Sequence, residues 1–132
     1  EEVLTRLGKR AYFHRIADAA EVRGRTGRIG FTRPAPSDYI VTIDGKTSYS
    51  EVKSSTDLKA FRFSLLRSTQ SAAAVQVIGA GGEYYVYIHS LSYDRWYRIP
   101  YQVIQAVKAD GKGSISWLQL EPFEWKYQTI MT

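Results

Sequence analysis

The segment PSDYIVTIDGKTSYSEVKSS, residues 36 to 55, constrains the fold more than any other part of the chain. Two runs of alternating β-forming residues flank an Asp44-Gly45 pair, which is a favoured two-residue connection of a β-hairpin. Counting outward from that turn pairs Asp38 with Glu51. The segment therefore predicts a hairpin that carries two opposed carboxylates near its open end.

Two carboxylates placed opposite each other should destabilise a plain hairpin. Residues directly opposite each other point to the same face, with Cβ atoms about 4.5–5.5 Å apart, and like charges repel there. A bound proton or a cation between the groups relieves the repulsion. Mg²⁺ takes oxygen ligands and commonly binds through one or two carboxylates plus substrate phosphate oxygens. Asp38 and Glu51 are thus the predicted metal ligands, and the carbonyl of Val52 is a further candidate.

Lys53 follows Glu51 by two positions, so it emerges on the same face of the strand. A lysine beside a metal can orient an attacking water or neutralise charge that develops on a phosphate. Together with Asp38, these residues predict metal-assisted hydrolysis of a phosphodiester. The alternative is a set of solvated surface charges, and a bulge or longer loop would also separate the two carboxylates.

Length and composition narrow the class of protein. The chain has 132 residues, 44% of them hydrophobic, which predicts one folded domain over residues 1–132. No apolar run approaches the roughly 18 residues needed to cross a bilayer. There is no signal-peptide pattern, and the absence of cysteine excludes disulfides and thiolate metal sites. We expect a cytoplasmic protein without a membrane partner.

Positive charge is concentrated ahead of the hairpin. Lysine and arginine number 18 against 13 acidic residues, and residues 23 to 35 carry four arginines and three glycines. That composition predicts a basic loop, and a polyanion is the natural partner of such a cluster. The alternative is that these charges form a solvated surface.

The remaining pattern predicts helices and strands in alternation. Residues 2 to 22 have the apolar spacing of a helix, with Phe13 and Ile16 on one face. Residues 56 to 62 are expected to form a connection. A second helix begins at Ser64 or Ser68 and ends near Ile78. Its predicted inward residues are Leu65, Leu66, Thr69, Ala72, Ala73 and Val77.

Strands are expected at 83 to 91 and 94 to 100, a short helix at 101 to 107, and a last strand at 114 to 120. This order predicts an α/β fold in which a mixed β-sheet is flanked by helices.

The sequence of the hairpin also resembles a known protein signature. Pro36, Ser37 and Asp38, followed after twelve residues by Glu51-Val52-Lys53, resemble the signature of the PD-(D/E)XK nuclease superfamily. The downstream segments EVKSST, FRFSLLRSTQ, YYVYIHS and RWYRIP are similar to RecU-type Holliday-junction resolvases, and more loosely to archaeal resolvases. The similarity covers roughly residues 8 to 107, and it implies a protein encoded by a prokaryote, an archaeon or a phage.

The resemblance implies a restriction-endonuclease-like fold and an endonuclease that cuts four-way DNA junctions in recombination and repair. It implies Mg²⁺ as the cofactor, for which Mn²⁺ can substitute, and a homodimer, since a junction needs two matched cuts. Asp38 and Glu51 become metal ligands and Lys53 the catalytic lysine. Gln70 matches a recurring helix glutamine that packs near the active centre or touches the substrate, so the resemblance makes it a catalytic candidate. Its alternative role is that of an exposed helix position, off the apolar stripe.

One departure from the family concerns the start of the chain. The family often has a glutamate early in its first helix, after a Gly-Lys pair, whereas GKRAYFHR supplies Tyr12 and His14 there. The carboxylates that could replace it are Glu2, Asp18 and Glu21.

The resemblance also assigns the basic residues to DNA. The predicted contacts are Arg23, Arg25, Arg28 and Arg33, with Lys9, Arg10 and Lys59 as additional candidates. The strand aromatics are expected to pack in the core and sheet rather than stack on bases; they are Tyr84, Tyr85, Tyr87, Trp96 and Tyr97. Competing hypotheses are a restriction-like or repair endonuclease, a non-catalytic DNA-binding module and a structural domain.

Overall fold

The protein is described by a computed structural model that covers residues 1–16 and 35–126. The helices and strands are α1 (Glu2–Arg6), β1 (Ala11–Arg15), β2 (Tyr39–Ile43), β3 (Lys46–Ser55), β4 (Ala60–Arg62), α2 (Ser68–Gly79), β5 (Tyr84–Ser90), β6 (Arg95–Pro100), α3 (Tyr101–Ala109), β7 (Ser114–Ser116) and α4 (Trp117–Leu120). Short 3₁₀ turns lie at Gly8–Arg10, Phe63–Leu65 and Glu121–Phe123.

A five-stranded sheet in the order β1-β2-β3-β5-β6 organises the described residues. Strands β3 and β5 are parallel, and the other neighbours in this sheet are antiparallel. The parallel pair needs a crossover, which β4 and α2 supply. Strands β4 and β7 form a separate antiparallel pair. The predicted class, a mixed sheet flanked by helices, is confirmed.

The hairpin of β2 and β3 has the predicted two-residue turn. Ile43 pairs with Lys46, and the ladder runs outward to Tyr39 opposite Ser50. Asp44 and Gly45 have φ values of 50° and 84°, so both central residues are left-handed as a type I′ turn requires. The register therefore places Asp38 and Glu51 at the next opposed positions.

The hydrophobic core lies on one face of the sheet, called here the core face. Side chains of β5 and β6 meet α2, α3 and the β4-β7 pair there; the buried members are Phe61, Phe63, Leu66, Ala74, Tyr84, Val86, Ile88, Tyr97, Ile99, Tyr101, Ile104, Ile115, Trp117 and Leu120. Alternation of side chains puts Glu51 and Lys53 on this face, since they pair with Val86 and Ile88. The active-site candidates thus emerge beside the core.

The opposite face of the sheet, called here the α1 face, is partly covered by the N-terminal helix. A pocket of about 440 Å³ lies between them, lined by α1 residues and by sheet residues such as Val41 and Val52. The packing expected of the aromatics is confirmed for Tyr84, Tyr87 and Tyr97, which are buried. Tyr85 and Trp96 are half-buried.

The predicted helix over residues 2 to 22 is wrong for much of its length. Helix α1 ends at Arg6, Gly8 adopts φ 62°, and β1 then pairs with β2 from Ala11 opposite Ile43. Phe13 packs edge-on against Tyr39 with ring centroids 6.1 Å apart. Pairing with a distant strand overrides the helical spacing of a few apolar residues.

Two predictions near the smaller sheet are also wrong. The expected connection at 56 to 62 contains β4, which pairs Ala60 with Ser116. The expected strand at 114 to 120 ends at Ser116, where the side chain accepts a hydrogen bond from the backbone of Gln119 and helix α4 begins. Ser-x-x-Gln is a capping-box pattern, so this boundary was readable in the sequence.

Helix α2 begins at Ser68, and the prediction of its inward side chains is only partly confirmed. Leu66, just before the helix, is buried and Val77 packs against the core, as expected. Gln70 and Ala74 are buried, whereas Thr69 and Ala72 are exposed. Leu65 lies in the preceding 3₁₀ turn and is exposed. Three consecutive alanines give little contrast between helix faces, so the sequence pattern could not orient this helix.

Several predictions fall outside the described residues. They concern Asp18 and Glu21 and nearly all of the predicted basic loop at 23–35, with Arg23, Arg25, Arg28 and Arg33. Among the helices that are described, none is long and apolar enough to span a membrane.

The left-handed turn can be tested with a pair of glycine substitutions. Gly45→Ala should lower the free energy of unfolding by about 1–2 kcal/mol, because a Cβ strains the left-handed backbone. Gly79→Ala is the matched control: Gly79 ends α2, and a Cβ there meets no atom within 4 Å. It should be neutral or stabilising by about 0.5–1 kcal/mol in urea denaturation. Equal effects of the two changes would contradict the turn assignment.

Candidate active site

Asp38 and Glu51 are joined by two reciprocal hydrogen bonds across the open end of the hairpin. The backbone N–H of Asp38 donates to Glu51 Oε1 at 2.9 Å, and the N–H of Val52 donates to Asp38 Oδ2 at 3.0 Å. Each strand therefore holds one oxygen of the carboxylate carried by the other strand. The two acidic side chains occupy one site, as the register predicts.

The chain just before β2 is anchored on both sides, which fixes the position of Asp38. The hydroxyl of Tyr84 donates to the carbonyl of Pro36 at 2.6 Å, and buried Ser37 donates to the carbonyl of Tyr39 at 2.8 Å. The carbonyl of Asp38 accepts from Ile16 N–H at 2.8 Å. Strands on either side of the hairpin thus support the carboxylate.

Glu51 is a carboxylate in an apolar setting, with 1% of its surface exposed. Burial and the charge of Asp38 raise its pKa to about 7, against the opposing effects of Lys53, the Asp38 N–H and Arg67. Its Oε2 atom has no hydrogen-bond partner among the described residues. A buried acceptor left in this state is costly, and a bound cation or proton would satisfy it.

Two basic side chains face the carboxylate pair. Lys53 Nζ lies 3.6 Å from Glu51 Oε2, and Arg67 Nη2 lies 3.9 Å from Asp38 Oδ1. Sequence reasoning proposed Lys53 and missed Arg67. The signal for Arg67 was its place immediately before a predicted helix start, but only the fold brings that helix end to the hairpin.

Gln70 is buried rather than exposed, which corrects its placement off the apolar stripe. Only 4% of its surface is accessible, and its Oε1 has no hydrogen-bond partner among the described residues. It lies in the first turn of α2, where its N–H donates to the carbonyl of Arg67 at 3.1 Å. A buried amide oxygen without a partner, three residues after Arg67, is consistent with a site residue; its catalytic role stays a prediction.

The donor set fits a small divalent cation. Asp38 and Glu51 offer hard carboxylate oxygens, the ligands that Mg²⁺ prefers, and Glu51 Oε2 lacks a donor. Within residues 1–16 and 35–126, no group of three or more His, Asp or Glu side chains is placed to hold a metal ion together. Among these residues, Asp38 and Glu51 are the side chains that would hold a cation here, with the Val52 carbonyl still a predicted addition.

Of the three carboxylates proposed to replace the family's first-helix glutamate, Glu2 is the one within the described residues. It does not lie with Asp38 and Glu51. Glu2 forms an ion pair with Arg6 at 2.5 Å and lines the pocket on the α1 face. His14 lies on β1 opposite Ile40 and is exposed.

The predicted DNA contacts that can be located lie at two ends of the hairpin. Arg10 forms a bidentate pair with Asp44, at 2.9 and 2.6 Å, so it sits by the turn with Lys9 before it. At about 3.3 Å per residue, the turn is about 20 Å from Asp38. Lys59 is exposed beyond the other end of β3. The structure thus separates Lys9 and Arg10 from the carboxylates, and their binding of DNA stays a prediction.

Replacing the buried carboxylate should stabilise the metal-free protein. Glu51→Gln removes a charge that burial and Asp38 disfavour, so in EDTA at pH 8 it should raise the free energy of unfolding by about 1–3 kcal/mol. Thermal or urea denaturation measures this change. Glu83→Gln, at an exposed carboxyl, is the control and should have little effect.

The stabilisation should depend on pH in a defined direction. The folded-state pKa of Glu51 is about 7, above the ordinary glutamate value of 4.5. The wild type should therefore lose stability relative to Glu51→Gln as pH rises from about 5 to 8, because the folded carboxyl must ionise. A difference that stays constant between pH 5 and pH 8 would contradict this account of Glu51.

Comparisons with known proteins bear on the fold. No protein-family model matches the sequence, and no curated protein matches it. The structure is similar to that of Hjc from Archaeoglobus fulgidus, a Holliday junction resolvase from an archaeal hyperthermophile. The TM-score is 0.59 and the identity 20%, over 99% of this chain and 95% of that chain. The chain has the same fold as that resolvase, a mixed sheet flanked by helices.

Proposed function

We propose that this protein is a Mg²⁺-dependent DNA endonuclease whose substrate is the four-way junction. The observation that carries the proposal is the Asp38-Glu51 pair, locked by reciprocal hydrogen bonds, with Lys53 Nζ 3.6 Å from the free oxygen of Glu51. Two carboxylates and a lysine on one face are the groups that metal-assisted phosphodiester hydrolysis uses.

Each side chain has a distinct task in the proposed reaction. Asp38 and Glu51 would hold Mg²⁺, which supplies Lewis-acid polarisation of a phosphoryl oxygen. Lys53 Nζ lies 3.6 Å from Glu51 Oε2, where its ammonium can orient the attacking water and offset negative charge on the phosphate. Burial of Glu51 keeps competing water from its Oε2 atom.

The choice of a four-way junction among DNA substrates rests on two supports. One is the shared fold with the archaeal resolvase, and the other is the resemblance of the FRFSLLRSTQ, YYVYIHS and RWYRIP segments to RecU-type resolvases. A four-way junction needs two matched cuts, so a C₂ homodimer is part of the proposal.

Removing either carboxylate should abolish cleavage. Asp38→Ala and Glu51→Ala should each lower the single-turnover rate about a thousandfold or more, since loss of a metal ligand costs several kcal/mol of transition-state stabilisation. Junction binding should survive, because the like charges near the phosphates are removed. Glu83→Gln is the control and should cut at the wild-type rate. Wild-type cleavage by either alanine variant in Mg²⁺ would refute the site.

A substrate panel tests the junction preference. The wild type should cleave a synthetic four-way junction faster than linear duplex, nicked duplex or flap DNA in Mg²⁺. Equal or faster cleavage of another substrate would favour a restriction-like or repair endonuclease. Binding without any cleavage would indicate a DNA-binding module, and failure to bind DNA at low salt would leave a structural domain.

A further inference from the structure

We propose that Arg67 is a substrate-phosphate ligand that Asp38 holds in the free protein and releases when a divalent cation binds. The inference rests on the proposed function, because it needs both a cation at Asp38 and a phosphate beside it. Its basis is the pair of carboxylate oxygens that take no part in the reciprocal hydrogen bonds.

The carboxylates have one committed and one available oxygen each. Backbone N–H groups occupy Glu51 Oε1 and Asp38 Oδ2. The remaining oxygens, Glu51 Oε2 and Asp38 Oδ1, each face one cation, Lys53 at 3.6 Å and Arg67 at 3.9 Å. The two carboxyl groups are thus each faced by one basic side chain that lies nearby without a short hydrogen bond.

Arg67 and Lys53 differ in how far they can move. The side chain of Lys53 is 18% exposed and lies on the core face, whereas that of Arg67 is 59% exposed. A solvent-exposed ion pair at 3.9 Å contributes little stability, so its exchange for another anion is cheap. Arg67 is therefore the member of the pair that can turn toward a bound strand.

A guanidinium group is well suited to bind a phosphate of the DNA strand. Its planar fork can donate two parallel hydrogen bonds to a phosphate, which a lysine cannot reproduce. Arg67 also precedes the first turn of α2, a twelve-residue helix, so its backbone is fixed at the helix start. The side chain swings from a rigid base beside the reacting phosphate.

Cation binding supplies the switch. A divalent cation held by the two carboxylates would draw on Asp38 and repel the guanidinium, which lies 3.9 Å from Asp38 Oδ1. Arg67 and the cation therefore compete for Asp38 when no DNA is present. With DNA bound, the released guanidinium gains a phosphate, and the competition disappears.

The first measurement is Ca²⁺ binding without DNA, by isothermal titration calorimetry. Arg67→Ala should bind Ca²⁺ more tightly than the wild type, roughly threefold or more, because the competing charge is gone. Arg67→Lys should restore most of the competition. Arg6→Ala is the matched control, since Arg6 is also an exposed arginine paired with a carboxylate but lies with α1 on the other face of the sheet. It should leave Ca²⁺ affinity unchanged.

The second measurement is four-way-junction affinity in Ca²⁺, by fluorescence anisotropy. Arg67→Ala should weaken binding about tenfold and reduce the salt slope by about one, the signature of one lost phosphate contact. Arg67→Lys should recover only part of this affinity, and Arg6→Ala should match the wild type. We therefore expect Arg67→Ala to bind Ca²⁺ more tightly and the junction more weakly. A merely structural role of Arg67 would not tighten Ca²⁺ binding.

The possible results distinguish a failure of the proposed role of Arg67 from a failure of the proposed nuclease function. Unchanged or weaker Ca²⁺ binding by Arg67→Ala, or junction affinity equal to that of Arg6→Ala, overturns the role of Arg67 while wild-type cleavage stands. A wild type that binds no Ca²⁺ and cuts no DNA overturns the proposed function and this inference together.

Discussion

The register of one β-hairpin is the constraint on which the site depends. A two-residue turn at Asp44 and Gly45 pairs β2 with β3, and the next opposed positions are Asp38 and Glu51. Backbone N–H groups then bind one oxygen of each carboxylate. Because side chains alternate along a strand, a slip of one residue would move Glu51 and Lys53 to the α1 face and separate the pair.

Burial gives the pair its chemical character. Glu51 shares the core face with Val86 and Ile88, so its carboxylate is poorly solvated and its pKa rises to about 7. The same surroundings leave Glu51 Oε2 and Gln70 Oε1 without hydrogen-bond partners among the described residues. Departures from the usual rules of folding, such as buried acceptors without hydrogen bonds, concentrate at functional sites. Here one such acceptor lies on β3 and the other at the start of α2.

Fold and site support the proposal in different ways. The similarity to the Hjc structure concerns the path of the chain, at 20% identity. A fold can carry many activities, so the chemistry has to come from particular side chains. In the proposed reaction Asp38, Glu51 and Lys53 would provide it, and Arg67 would add a second basic group that similarity of fold does not point to.

Local chemistry made much of this protein readable from its sequence. The Asp-Gly turn sets the hairpin and its register, and residue alternation then places Asp38, Glu51 and Lys53 on one face. Helices α2 and α3 and strands β5 and β6 also follow from local spacing and stop signals. Each of these depends on residues close together in the chain, which is why a pattern predicts them.

Tertiary contacts decided the rest. Strand β1 exists because distant β2 pairs with it, and the short strands β4 and β7 stabilise each other across more than fifty residues of chain. The burial of Gln70 and the approach of Arg67 to Asp38 depend on how α2 lies against the sheet. An alanine-rich helix does not encode that orientation locally, so only the packed structure brings these side chains to the carboxylates.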